Sequence, residues 1–83
     1  MKCLRFSAKW CGPCQGLKMI VNGAKDKLPM EVEEVDIDDN IMMAQQFNVR
    51  SVPTLVIVDE QENELKRHVG LLNEEKLLEF LKG

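Results

Sequence analysis

Ten residues into this 83-residue chain, directly behind an apolar stretch, stands Trp10-Cys11-Gly12-Pro13-Cys14. No other feature restricts the possible folds as much. Two cysteines separated by two residues can close a small disulfide ring, and the Gly-Pro between them sets a tight turn. Pro13 suits the first turn of a helix, where an N–H has no partner in any case and the fixed φ is already helical. A helix opening here puts Cys11 at its N-terminus, where free backbone N–H groups and the helix dipole stabilise a thiolate. In motifs of this kind the thiol pKa falls from about 8.5 to about 7 or lower. The thiolate is the form that attacks disulfides, so the motif points to thiol–disulfide exchange.

The rest of the chain builds strands and helices around that turn. Residues 3–6 read as a short buried strand. Over residues 13–27, Leu17, Ile20, Val21 and Ala24 recur at helical spacing, continued by Leu28. Leu28-Pro29 ends that helix, because a residue before proline avoids helical geometry. Residues 30–37 predict a strand carrying Val32, Val35 and Ile37. Asp38, Asp39 or Asn40 caps a short helix through Met43, Ala44 and Phe47, with Met42 and Met43 expected in the core. Residues 49–54 form a connection containing Pro53. The wholly apolar run 55–58 suits a strand covered on both faces. A polar turn over 59–63 leads to an edge strand at 65–69, which Gly70 breaks. Asn73 caps a last helix with Leu77, Leu78 and Leu81 on its inner stripe.

The order β-α-β-α-β-β-α predicts an α/β fold: one domain, residues 1–83, with a four-stranded mixed sheet flanked by helices on both faces. Cys11 then lies at the carboxyl end of the first strand, where open α/β folds commonly place their chemistry.

Charge and cysteine count narrow the function. A net charge of −3 and a pI near 5.1 give no electrostatic case for nucleic acid or an anionic membrane. No run approaches the ~20 apolar residues of a membrane span. Arg5 interrupts the N-terminus before a signal-peptide core can form, so the expected location is cytoplasmic. Three cysteines do not make a secreted disulfide framework. A Cys-x-x-Cys pair in a reducing compartment is catalytic or metal-binding. Zinc usually takes four ligands, and beyond the pair only Cys3 and His68 are spare, so redox chemistry is the stronger reading. No metal or bound cofactor is expected.

On these residues the chain resembles the thioredoxin family. Trp10-Cys11-Gly12-Pro13-Cys14 matches that family's active-site sequence. Ser51-Val52-Pro53-Thr54 looks like its cis-proline segment, and Val69-Gly70 like its glycine loop. Asp36-Ile37-Asp38 and Phe47-Asn48-Val49-Arg50 are similar too. The resemblance runs from about Leu4 to the end and lacks an opening strand and helix, as in the short thioredoxins of some archaea and phages.

The resemblance implies a monomeric protein-disulfide reductase. Cys11 is the nucleophile and Cys14 the resolving thiol. Trp10, Gly12, Pro13, Val52, Pro53 and Gly70 form the substrate-binding surface. The implied partners are protein disulfides, with ribonucleotide reductase as an example, and an electron donor like thioredoxin reductase that draws on NADPH.

Arg5 stands where the family has a buried Asp, and Glu34 where it has a Lys, so the charges have changed places. Glu34 beneath Cys14 is then expected to accept its proton, with Arg5 keeping Glu34 ionised. The alternative is an Arg5–Glu34 pair with no part in turnover. Met19 replaces a helix-kinking proline, which implies a straighter first helix. Competing functions are a glutathione-dependent, glutaredoxin-like protein and a binding module with incidental sulfurs.

Overall fold

A computed structural model describes every residue, Met1–Gly83. The elements run β1 (Lys2–Ser7), α1 (Gly12–Gly23), β2 (Val32–Asp36), α2 (Ile41–Gln46), β3 (Thr54–Val58), β4 (Glu64–Val69) and α3 (Glu74–Lys82). The strands form one sheet in the order β2-β1-β3-β4. β1 and β2 are parallel, and β1–β3 and β3–β4 are antiparallel.

Strand alternation sorts β1 onto two faces. Cys3 packs with Leu17, Val21, Leu55, Ile57, Leu77 and Leu81 between the sheet and α1 and α3. Leu4 and Phe6 pack with Val35, Phe47, Val56 and Val58 on the face covered by α2. The predicted α/β architecture, helices on both faces included, is the observed one. Both apolar clusters need β1 and β3 at the centre, which is why these strands carry the unbroken buried runs. Each fully buried Leu or Phe there contributes about 1.5–3 kcal/mol.

Three local expectations differ from the structure. The first helix stops at Gly23 rather than Lys27 and tightens into a 3₁₀ turn at Lys25–Lys27. Gly23 is a poor helix former, and the Ala24 N–H is shared between the carbonyls of Ile20 and Val21. Asn40 sits at the N-cap of α2 but its side chain does not cap it. Asp36 organises that turn instead, accepting the N–H groups of Asp38 and Asp39 while Asn40 Nδ2 donates to the Asp36 carbonyl.

Met42 is not in the core but 83% exposed. A six-residue helix presents only a narrow stripe to the sheet, and Met43 and Phe47, four apart, fill it. Met42 lies about 100° round the helix from Met43.

Two contacts fix the loops at the functional end. The Gly70 N–H donates to the Pro53 carbonyl at 2.9 Å. Gly70 itself adopts φ +105°, a conformation side chains resist. At the other face Arg67 Nη2 donates to the Phe47 carbonyl and pairs with Glu64, tying the end of α2 to β4.

Candidate active site

α1 begins where β1 leaves the sheet, and Cys11 is its N-cap residue, with φ −94° and ψ 114°. An N-cap side chain normally accepts a hydrogen bond from the second or third helical N–H. Here the acceptor is sulfur: the Cys14 N–H donates to Cys11 Sγ at 3.1 Å. The Gln15 N–H donates to the Cys11 carbonyl at 3.3 Å. Pro13 occupies the first turn, as its missing N–H allows.

Cys11 and Cys14 are joined as a disulfide, their Cα atoms 5.2 Å apart. With Ala8 they form a small buried cluster flanked by Ile37 and Val52. Cys14 is the more enclosed, 1% exposed against 6% for Cys11.

The loop before β3 closes over this cluster. The Val52-Pro53 bond is cis. The Val52 carbonyl oxygen lies 3.7 Å from Cys11 Sγ, where it can accept from the thiol once the disulfide opens. Thr54 Oγ1 donates to the Ser51 carbonyl at 2.8 Å and stiffens the loop. Pro53 in turn holds Gly70, so Cys11, Cys14, Val52, Pro53 and Gly70 come together from three chain segments.

Gly12 and Pro13 are exposed at the rim. Trp10 is 70% exposed, and its Nε1–H donates to Asp38 Oδ2 at 3.0 Å. Lys9, Gln15 and Arg50 are exposed.

Two participants escaped the sequence reading. Asp38 reads locally as a helix cap, and its partner is 28 residues away, so no local pattern marks it. Leu71 is 53% exposed and lies beside Gly16 of α1, 3.9 Å from where a Cβ there would stand. It adds an apolar contact next to the cysteine-bearing helix.

Glu34 pairs in register with Arg5 across β1 and β2. Its carboxylate accepts from Ser7 Oγ at 3.3 Å and lies 3.5 Å from Arg5 Nη2. It makes no hydrogen bond to either sulfur. Cys3 is wholly buried, and burial pushes its thiol up to about 12, with the Arg5 charge pulling the other way. It is a neutral core residue at physiological pH. No three His, Cys, Asp or Glu side chains converge as metal ligands would.

The geometry suits one kind of chemistry. An accessible helix N-terminus faces the first sulfur, a second sulfur lies within bonding distance, and a free backbone carbonyl and exposed apolar side chains border both.

Comparison with known proteins agrees. The family model described as Thioredoxin matches residues 2–83. The thioredoxin of Chlamydia trachomatis serovar D is 35% identical over 77 residues, covering 92% of this chain and 74% of its own. Mouse mitochondrial thioredoxin is 34% identical over 79 residues, covering 93% of this chain and 47% of its own. Among solved structures, a mutant thioredoxin from Halobacterium salinarum superposes with a TM-score of 0.87 at 35% identity, over 96% of this chain and 70% of that one. Fasciola hepatica thioredoxin gives 0.84 at 33% identity, over 96% and 76%.

Proposed function

The chain belongs to the thioredoxin family and is a thiol–disulfide oxidoreductase, and from that premise we propose how its residues divide the work. The observation that carries the reading is the Cys11–Cys14 pair at the start of α1, with Cys11 Sγ accepting the Cys14 N–H.

In the reduced protein, Cys11 as thiolate attacks one sulfur of a client disulfide. A Cys11–client disulfide forms, and the client's other sulfur leaves and takes up a proton. Cys14, deprotonated, then attacks Cys11 Sγ. The Cys11–Cys14 bond forms, the Cys11–client bond breaks, and the client departs as a dithiol. The client gains two electrons and this chain loses two.

Trp10, Gly12, Pro13, Val52, Pro53 and Gly70 form the docking surface. The Val52 backbone pairs with an extended client segment, which gives affinity without dependence on client side chains. Family membership implies protein disulfides as substrates and a reductase as electron donor. In finer terms we infer an NADPH-drawing donor like thioredoxin reductase and a client such as ribonucleotide reductase, which ends its cycle with a disulfide. We further infer a monomer working in the cytoplasm without a bound cofactor, and without nucleic acid or membrane partners. No helix of the chain is long and apolar enough to cross a membrane.

Insulin reduction tests the reading. The protein with excess small dithiol should precipitate insulin chains well above the dithiol-only rate, and the Cys11→Ser, Cys14→Ser double variant should not. With NADPH, a thioredoxin reductase should sustain turnover and glutathione with its reductase should not. Equal rates with and without the protein would overturn the assignment, and turnover on glutathione alone would make it glutaredoxin-like.

A further inference from the structure

The face beneath α1 holds one charge that this exchange scheme leaves unused. Arg5 sits mid-strand in β1 with its side chain only 6% exposed, and a guanidinium stays protonated in proteins. Its strand neighbours locate it. Cys3, on the same face, packs with Leu17 and Val21 of α1, and Ala8, just past the strand, packs with Cys11 and Cys14. Arg5 therefore stands along β1 between the residue that packs on α1 and the residue that packs on the sulfurs, on the sheet face that α1 covers.

Its charge is thinly matched. The one anionic contact is Glu34 Oε1, 3.5 Å from Nη2, and Glu34 is 46% exposed. The other Glu34 oxygen is engaged by Ser7 Oγ. Arg5 Nε is buried with no hydrogen-bond partner. A buried N–H without an acceptor is costly, as is a buried charge without full compensation.

We propose that Arg5 is a positioning residue for the resolving step, its guanidinium serving as the fixed counter-charge for the thiolate that Cys14 must become. The inference rests on the disulfide-exchange reading of the sulfur pair. In the disulfide, Cys14 carries no charge. When the pair opens, a negative sulfur appears in the buried layer that already holds an under-matched positive group. The Cys14 thiolate then attacks Cys11 Sγ, the Cys11–client bond breaks, and the negative charge leaves on the client sulfur. Arg5 neither gives nor takes a proton.

The same charge already opposes the effect of burial on Cys3. Lys9, Lys18, Glu34, Asp36 and Asp39 line a groove that also takes in Ala8 and Gln15, beside the cysteine-bearing start of α1. Of these the charged groups are all exposed but the half-buried Asp36, of mixed sign and screened by solvent. From α3, Leu77 and Leu81 enter this core and Phe80 packs against it, all three uncharged. His68, across β3 from Arg5 in the sheet, lies against Phe80.

The test titrates Cys14 by thiolate absorbance at 240 nm in a Cys11→Ser background, where Cys3 is silent because its thiol titrates only at about 12. Arg5→Met should raise the Cys14 pKa by about one unit, a tenfold loss of thiolate below that pH, and Arg5→Lys should restore most of it. With both sulfurs intact, and at a pH above the Cys14 pKa, where the reduced pair carries that thiolate, a tenfold weaker thiolate makes the couple about 30 mV more reducing.

Glu34→Gln, which strips Arg5 of its partner, should shift both quantities the opposite way. A proton acceptor at Glu34 predicts instead a slower resolving step near neutral pH with the potential unchanged. Arg5→Met values equal to those of the unsubstituted protein would overturn the proposal, as would Glu34→Gln failing to move the potential upward. Should Arg5→Met not fold, the sign of the Glu34→Gln shift decides. Insulin reduction by the unsubstituted protein is measured alongside. Its absence sinks the exchange reading itself, whereas normal reduction with unmoved Arg5 variants sinks only the role of Arg5.

Discussion

At the N-cap of α1, sulfur takes the place usually held by a side-chain oxygen. The consequence depends on redox state. In the disulfide, the Cys14 N–H bond to Cys11 Sγ is an ordinary cap. In the dithiol, the same N–H faces an anion, and hydrogen bonds to charged groups contribute about 1.5–3 kcal/mol. That difference is the ground for the proposed roles, Cys11 attacking and Cys14 waiting. Cys14→Ser should trap a Cys11–client mixed disulfide visible by mass spectrometry under non-reducing conditions. Cys11→Ser should trap none, and the reverse pattern would exchange the two roles. The third sulfur behaves differently. The Cys3 thiol is raised to about 12 by burial, opposed by Arg5, and an unfolded thiol titrates near 8.5. The folded state thus keeps a proton that the unfolded state has lost. Stability from this group is whole below about pH 8.5 and drains away towards pH 12, by about 1.4 kcal/mol per pH unit. Cys3→Ala should flatten the alkaline limb of urea stability measured between pH 8.5 and 11, and an unchanged slope would contradict the assignment. The paired sulfurs were legible from their spacing. Asp38 was not, because its bond to Trp10 is made by the fold and not by neighbours in the chain. The pairing of buried Arg5 with Glu34 was legible only through the family resemblance, since a lone arginine in an apolar strand does not by itself name its partner.

At the level of elements, patterns that repeat were readable and patterns that stop were not. Residues 55–58 form the strand their apolar run predicts, and all four are buried. The final helix follows its cap: Asn73 Oδ1 accepts the Lys76 N–H at 2.9 Å, and Leu77 and Leu81 face the core. Asn73→Ala should therefore cost about 1 kcal/mol, measured as a lower urea midpoint at unchanged slope. No shift would mean that the core contacts of α3 alone hold its first turn. The C-terminal end of α1 and the inner face of α2 were missed for a common reason. Both depend on a competition decided by a few contacts: a shared N–H at Ala24, and a stripe wide enough for Met43 and Phe47 but not Met42. The turn before α2 shows the same effect. Three polar residues in a row could each have capped it, but no side chain does, and Asp36 of β2 organises the preceding turn instead.

As a whole, the molecule is a sheet with two apolar faces and two open edges. β2 pairs only with β1, so its outer edge is free to template another strand. Glu31, Glu33 and Glu34 crowd that edge with negative charge, part of it held by Lys2, whose Nζ lies 3.0 Å from Glu33. Repulsion between copies should keep the protein monomeric. Glu31→Val combined with Glu33→Val should produce concentration-dependent dimers or larger species in sedimentation velocity, and a variant that stays monomeric would show that the edge is guarded by its shape alone. Topology was the most legible level of all, because element order and the handedness of β-α-β crossovers leave few sheets to choose from. What no pattern disclosed was the partner that fixes one aromatic ring. The chain has one tryptophan and no tyrosine, and Asp38 fastens that tryptophan beside the sulfurs. Its near-ultraviolet emission therefore comes from a single fluorophore next to a disulfide, a strong quencher. The light this protein gives off should therefore meter its own electron load, readable in real time with no dye attached.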